Sequence, residues 1–151
     1  MKSKLMLLVS VAALAVAGCT GKTGEGAPLV DDARLTAAAE HPENWVTHGG
    51  TYEEQRFSQL DKINAETVGQ LGLAWSHEFD TNRGQEATPL IVDGTMYTTS
   101  AWSKVQAFDA VSGKLLWQFD PQVPGVTGGK ACCDVVNRGV AYWDGKVYVG
   151  T

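Results

Sequence analysis

Cys132 and Cys133 stand side by side in the segment GGKACCDVVNRG, and the third cysteine, Cys19, lies far upstream in an apolar N-terminal stretch. Oxidised together, adjacent cysteines close a ring on themselves, although neighbouring Cα atoms sit ~3.8 Å apart and ordinary disulfides span ~4.4–6.8 Å. So short a loop removes little entropy from the unfolded chain, so stability alone gives no reason for such a ring. It would instead be a flat, stiff, polarisable surface of the kind that lies against a planar ligand; reduced, the pair is two neighbouring thiols. His41, His48 and His77 are the only histidines, all upstream of the pair, and no C-x-x-C spacing occurs. Zinc and covalent haem sites are therefore unsupported.

The cysteines need a compartment that suits them. Met1-Lys2-Ser3-Lys4 is a short basic region, Leu5 to Val16 is an apolar run too short to span a bilayer comfortably, and small residues follow. This is a secretion signal. Its end, Val16-Ala17-Gly18-Cys19, matches a bacterial lipobox, which makes residues 1–18 the signal and Cys19 the lipidated first residue of the mature chain. The alternative is an ordinary cleaved signal with Cys19 near the cut. Acyl chains on Cys19 would hold the protein firmly at a membrane surface, and Thr20 in place of Asp removes the common inner-membrane retention signal. Residues 19–30, with Gly, Lys and Thr from Lys22 to Pro28, read as a flexible tether. The expected location is periplasmic, on a lipid anchor, where oxidation of a cysteine pair is chemically reasonable.

The chain has 151 residues, 44% of them apolar, and a net charge of −5. That admits one folded domain, over residues 31–151, and points to neither a disordered chain nor a nucleic-acid partner. DDARLTAAAE predicts a short helix over residues 31–40, capped by Asp31 or Asp32. Leu71, Leu73, Trp75 and Phe79 alternate with smaller or polar residues, as in a strand with one buried face. Residues 87–92 and 95–99 flank Asp93-Gly94, and residues 104–108 and 115–119 flank a turn over 109–113; these are two hairpins, hence a four-strand meander. Tyr52, Phe57 and Trp45 are expected to pack the N-terminal segment against it.

The hairpin pattern then returns: Ala141-Tyr142-Trp143-Asp144-Gly145-Lys146-Val147-Tyr148 matches residues 90–97 at an offset of 51. Four strands per unit at that period signify a propeller blade, and a ring of at least ~4 blades is needed to close one. About one and a half blades are present, so the chain is expected to be the N-terminal part of a longer protein. The segment Ala107-Phe108-Asp109-Ala110-Val111-Ser112-Gly113-Lys114-Leu115-Leu116-Trp117 resembles the tryptophan-docking repeat A-x-D-x-x-T-G-x-x-x-W of propellers in the pyrroloquinoline quinone (PQQ) class, with Ser112 where threonine is usual. Asp109 and Ser112 can bond turn backbone groups, Gly113 supplies a left-handed conformation and Trp117 can pack on a neighbouring blade. Trp75, 42 residues earlier, fits the same part for another blade.

From about Glu43 onward the chain resembles the start of PQQ-dependent alcohol dehydrogenases, closest to the quinoprotein and quinohaemoprotein ethanol dehydrogenases. The resemblance rests on NWVTHGGTYEEQRFSQLDKIN, LGLAWSHEFDTNRGQEATPLIVDGTMY, TSAWSKVQAFDAVSGKLLWQFDP and ACCDVVNRG. It implies an all-β fold, the start of an eight-bladed β-propeller, with PQQ near the axis between a vicinal disulfide and a tryptophan further along the chain. Cys132 and Cys133 would form that disulfide, Arg138 would contact a cofactor carboxylate, and Glu86 would lie at the cofactor's polar edge. PQQ is a flat quinone with three carboxylates, so a stacking surface and a cation suit it. Glu86 beside a trianion is expected to be protonated or paired with a cation such as Arg138. Arg83 is a candidate second cation, Trp102 is read as packing and Lys104 as surface.

The family's reaction is oxidation of primary alcohols to aldehydes, with hydride passing to PQQ and electrons to a cytochrome c, separate or fused as a haem domain. It uses an aspartate base and a calcium or lanthanide ion, whose positions match nothing within residues 1–151, so this stretch alone is expected to be inactive. An outer-membrane-assembly lipoprotein built from the same repeats is the non-enzymatic alternative, and a sugar-oxidising quinoprotein is another; the cysteine pair with Glu86 and Arg138 favours the alcohol enzymes.

Overall fold

The computed structural model describes residues 29–130 and 132–151. The signal peptide, the lipobox cysteine Cys19 and most of the tether lie outside them. Helix α1, Asp32–Thr36, is one turn longer than nothing: the Asp31 side chain accepts the Arg34 backbone N–H at 2.9 Å, and a 3-10 turn at Ala38–Glu40 continues it.

Strands β1 (Leu90–Val92), β2 (Thr95–Thr99), β3 (Val105–Asp109) and β4 (Leu115–Phe119) form one antiparallel sheet in chain order. Asp93 and Gly94 both take positive φ, 49° and 77°, which gives the hairpin turn the twist its strands need. Strands β6 (Ala141–Trp143) and β7 (Lys146–Tyr148) form a second hairpin, with Asp144 and Gly145 at 47° and 70°. Its register, Ala141 opposite Tyr148, reproduces Leu90 opposite Tyr97. The repeat read from the sequence is thus a repeat of structure.

Strand β5, Cys132–Val135, lies between the two sheets in chain order. The cysteines, read as loop residues from their glycine-rich flank, therefore begin a short extended element. Strand β1 starts at Leu90 and not at Ala87, because Pro89 has no N–H to donate and Thr88 instead donates its N–H to the Arg138 carbonyl at 3.2 Å.

The alternating stretch 71–79 forms no ladder among the described residues; a 3-10 turn at Val68–Gln70 precedes it, and Leu71 and Leu73 are exposed. Alternation marks a face to be buried, yet a strand also needs an edge to pair with, and none of the described strands offers one here. Trp75 is nevertheless docked. Its indole N–H donates to the Ala110 carbonyl at 3.2 Å, and its ring covers Gly113, where a Cβ would sit 2.4 Å from Trp75 Cδ2. Gly113 has φ 72°, and Asp109 Oδ1 accepts from both the Ser112 N–H and hydroxyl at 2.7 Å. Phe108 is buried beneath, 6.0 Å from the Trp75 ring and 4.7 Å from His77.

The N-terminal segment crosses both hairpin turns. Arg34 bonds both carboxylate oxygens of Asp93, the Asp93 N–H donates to Asn44 Oδ1 at 2.8 Å, and the Asp144 N–H donates to the Val30 carbonyl at 2.9 Å. Val30, Val46 and Val92 form a buried cluster with Leu35, Ala38, Tyr97 and Tyr142 around it. Trp45 adds to the open edge of β1 through paired backbone bonds with Ile91. Tyr52 and Phe57 depart from expectation: both are well exposed, since no described element lies over them.

Between β4 and the β6–β7 hairpin runs an open groove of about 440 Å³ lined by Tyr97, Val105, Trp117, Phe119, Tyr142, Val147 and Val149. All of β4 is exposed. The Trp117 and Tyr97 ring centres lie 5.9 Å apart. Among the described residues no helix is long and apolar enough to cross a membrane.

Candidate functional site

In a meander the start of β1, the end of β2, the start of β3 and the end of β4 share one end of the sheet. The site is built there, from residues 83–88, the β2–β3 connection and the segment 132–139. Backbone conformations at this end are unusual for residues with side chains: φ is 65° at Trp102, 54° at Ser103 and 63° at Asp134. Left-handed non-glycine residues persist where surrounding contacts hold them.

Those contacts are identifiable. Arg83 pairs with Asp134, the residue after the cysteine pair, while its guanidinium carbon lies 5.8 Å from the Trp102 ring centre. Hydrogen bonding from Arg83 holds the Asp134 carboxyl below its ordinary range. The Trp102 ring also lies against Gly128, where a Cβ would be 3.6 Å from it and 3.1 Å from Val135. Trp102 thus packs as expected and also carries a cation. Arg83, a candidate second cation for a ligand, is instead taken up by Asp134. Lys104 is not a free surface lysine: its ammonium bridges Asp80 at 2.7 Å and Asp120 at 3.4 Å, tying the end of β4 to the stretch before β1.

Cys132 and Cys133 are exposed, and their sulfur atoms lie 2.7 Å apart. Contact with Cys133 holds the Cys132 thiol above its ordinary range, while the charge of Arg138 pulls it the other way. Arg138 therefore stands close enough for its field to reach the cysteine. Its Nη2 is 3.3 Å from Glu86 Oε2, and both side chains are largely open to solvent. Of the two expectations for Glu86, protonation or a cationic partner, the geometry supplies the partner. The structure accordingly brings Glu86, Arg138 and the cysteine pair together from positions 46 to 52 residues apart in the chain.

Asn137 was not singled out from the sequence. Its side chain makes four hydrogen bonds, to Thr99, Ser103, Gly139 and Gly150. Gly139 follows with φ 124°, and a Cβ there would sit 2.9 Å from the Thr88 carbonyl oxygen. An asparagine directly before the candidate ligand arginine and two before a glycine was the available signal. Among the described residues no group of three or more His, Cys, Asp or Glu is placed to hold a metal ion.

An antiparallel blade, its repeat begun again, and a tryptophan docked on the next turn define a β-propeller of the docking-motif class. Residues 45–149 match the family PQQ, glucose/ethanol/alcohol dehydrogenase, beta-propeller domain, and the chain belongs to that family. The dehydrogenase subunit of an alcohol dehydrogenase (quinone) from Komagataeibacter europaeus is 57% identical over 131 residues, 87% of this chain and 17% of that protein. A 1-butanol dehydrogenase (cytochrome c) from Thauera butanivorans is 52% identical over 107 residues, 71% of this chain and 16% of its own length. The structure of a quinohaemoprotein alcohol dehydrogenase from Pseudomonas putida HK5 superposes with a TM-score of 0.79 at 57% identity, covering 82% of this chain and 18% of that one. A europium-containing methanol dehydrogenase gives 0.73 at 38% identity, covering 80% and 21%. The chain thus spans about a fifth or less of the length of these relatives.

Proposed function

We infer that this chain is the first part of a PQQ-dependent alcohol dehydrogenase and supplies one side of its cofactor site. The observation that carries the reading is the Glu86–Arg138 pair, 3.3 Å apart, beside the exposed Cys132–Cys133 contact. The donor set fits PQQ. Arg138 offers a planar guanidinium whose ion pair with Glu86, at 3.3 Å, is longer than the ~2.7–2.9 Å of a tight charge-assisted bond, leaving it able to take a ligand carboxylate. The cysteine sulfurs, joined as a vicinal disulfide in the exported protein, would give an apolar, polarisable floor for the ring system. Glu86 keeps the charge of the edge near neutral when Arg138 is unliganded and limits how many anionic groups can approach.

PQQ, when bound, supplies the acceptor for the hydride of the alcohol. The chain's own residues bind and orient it: Arg138 by charge, the cysteines by contact, Asp134 and Arg83 by fixing the strand that carries the cysteines. The base that takes the hydroxyl proton, the calcium or lanthanide ion and the passage of electrons to a cytochrome would belong to the remainder of the protein; the cytochrome link of the Thauera relative and the europium of the methanol dehydrogenase support an electron acceptor and a metal ion of those kinds. Alcohols are the substrate class that the names of these relatives support, and the two that name a particular one, 1-butanol and methanol, name primary alcohols. The lipobox supports a periplasmic location on a lipid anchor at Cys19, from which a Cys19→Ala variant should be released out of the membrane fraction.

The test is titration of the full-length apoprotein with PQQ and calcium, followed by alcohol-dependent dye reduction. Saturable PQQ binding with ethanol oxidation is expected, weakened about tenfold or more by Arg138→Ala, since a charge-assisted contact is worth ~1.5–3 kcal/mol. A full-length protein that folds yet takes up no PQQ would overturn the reading.

A further inference from the structure

We propose that Asn137 is a positioning residue that sets Arg138 for the cofactor carboxylate; this rests on the functional reading above. An asparagine side chain has two acceptor sites on its oxygen and two donors on its nitrogen. All four are used. Thr99 Oγ1 donates to Asn137 Oδ1 at 2.9 Å, and the Gly139 N–H donates to the same oxygen at 3.0 Å. Asn137 Nδ2 donates to Ser103 Oγ at 3.0 Å and to the Gly150 carbonyl at 2.9 Å.

These partners come from three places that must be fixed relative to one another. Thr99 closes β2 and is 1% exposed, Ser103 lies in the left-handed turn before β3 and is 8% exposed, and Gly150 follows β7 of the next blade. Asn137 is therefore a junction between two blades, placed one residue before Arg138 and four after Cys133. Its bond to the Gly139 N–H closes a turn around Arg138, and the Arg138 carbonyl is held by the Thr88 N–H at 3.2 Å. With the backbone fixed on both sides, the guanidinium starts from one origin. Neither Glu86, at 3.3 Å and largely open to solvent, nor the exposed Arg138 side chain itself can supply that order.

Aspartate has the same shape with no donor nitrogen, so Asn137→Asp sets a carboxylate oxygen against the Gly150 carbonyl, while Ser103 can turn its hydroxyl to donate. Thr99→Val removes one hydroxyl and keeps the shape; Thr99→Ser keeps the hydroxyl.

The experiment is a double-mutant cycle on the full-length protein, read as PQQ affinity by fluorescence titration of the apoprotein. Asn137→Asp should weaken PQQ about tenfold or more with Arg138 present, and less than about twofold in the Arg138→Ala background. A purely structural part would cost the same in both backgrounds. Wild-type affinity in Asn137→Asp, or an equal loss with and without Arg138, would sink the proposal. If Asn137→Asp does not fold, Thr99→Val and Thr99→Ser carry the test: weakened binding in the first and restored binding in the second supports it, and equal affinity in both overturns it. Absence of PQQ binding by the wild-type protein overturns the functional reading and this inference together, whereas wild-type binding with an insensitive Asn137 removes this inference alone.

Discussion

Gly113 shows how one residue can hold a distant stretch of chain against the blade. It has φ 72°, and a Cβ would sit 2.4 Å from the Trp75 ring. Gly113→Ala adds left-handed strain and a clash with an aromatic ring, and we expect a loss of about 2–4 kcal/mol in denaturant unfolding with faster exchange of the Trp75 indole proton. At Asp134 the charge pairing makes a different prediction. Arg83 lowers the folded-state pKa of Asp134, as Ser112 lowers that of Asp109, so each stabilises the fold above the unfolded carboxyl value near ~4, and the gain is lost as pH falls through the folded values. Arg83→Met should therefore shift the denaturation midpoint downward at pH 7, by an amount that shrinks as the pH falls through the folded-state value of Asp134. A difference that did not shrink with falling pH would assign the effect to packing on Trp102 and not to Asp134.

At the scale of elements, the N-terminal segment is a strap over the turns of both hairpins. Arg34 and Asp93 have side chains 13% and 29% exposed, and their two-point contact joins α1 to the β1–β2 turn. Asp93→Asn keeps a residue that tolerates a positive φ but removes the charge, with an expected cost of about 1 kcal/mol. Limited proteolysis within residues 29–44 should then speed up while cleavage elsewhere stays unchanged. The β5 element illustrates why the site was harder to read than the hairpins. Its glycine-rich approach says loop, and what makes Cys132–Val135 a strand comes from distant positions: Arg83, which pairs with Asp134 inside it, and the turn that carries Trp102.

At the scale of the whole molecule, β4 leaves Leu115, Leu116, Trp117 and Phe119 exposed beside the groove of about 440 Å³, and Leu71 and Leu73 are exposed in the 71–79 stretch, apolar surface that further strands would cover. We place the missing strands in the rest of the propeller. Residues 29–151 expressed alone should bind a hydrophobic dye strongly and unfold with low cooperativity, whereas the full-length protein should do neither; equal dye binding by the two would refute that placement.

The four hairpin strands, the Asp-Gly turns, the 51-residue repeat and the docking motif were legible in the sequence because each depends on local backbone preference and short spacing. The ion pair of Glu86 with Arg138 was legible only as a charge balance. That 71–79 stays without a ladder, that Arg83 is spent on Asp134 and that Asn137 joins two blades were decided by tertiary structure. Pairing partners, unlike turns, are set by which distant residues arrive at the same end of the sheet, and no spacing along the chain records that.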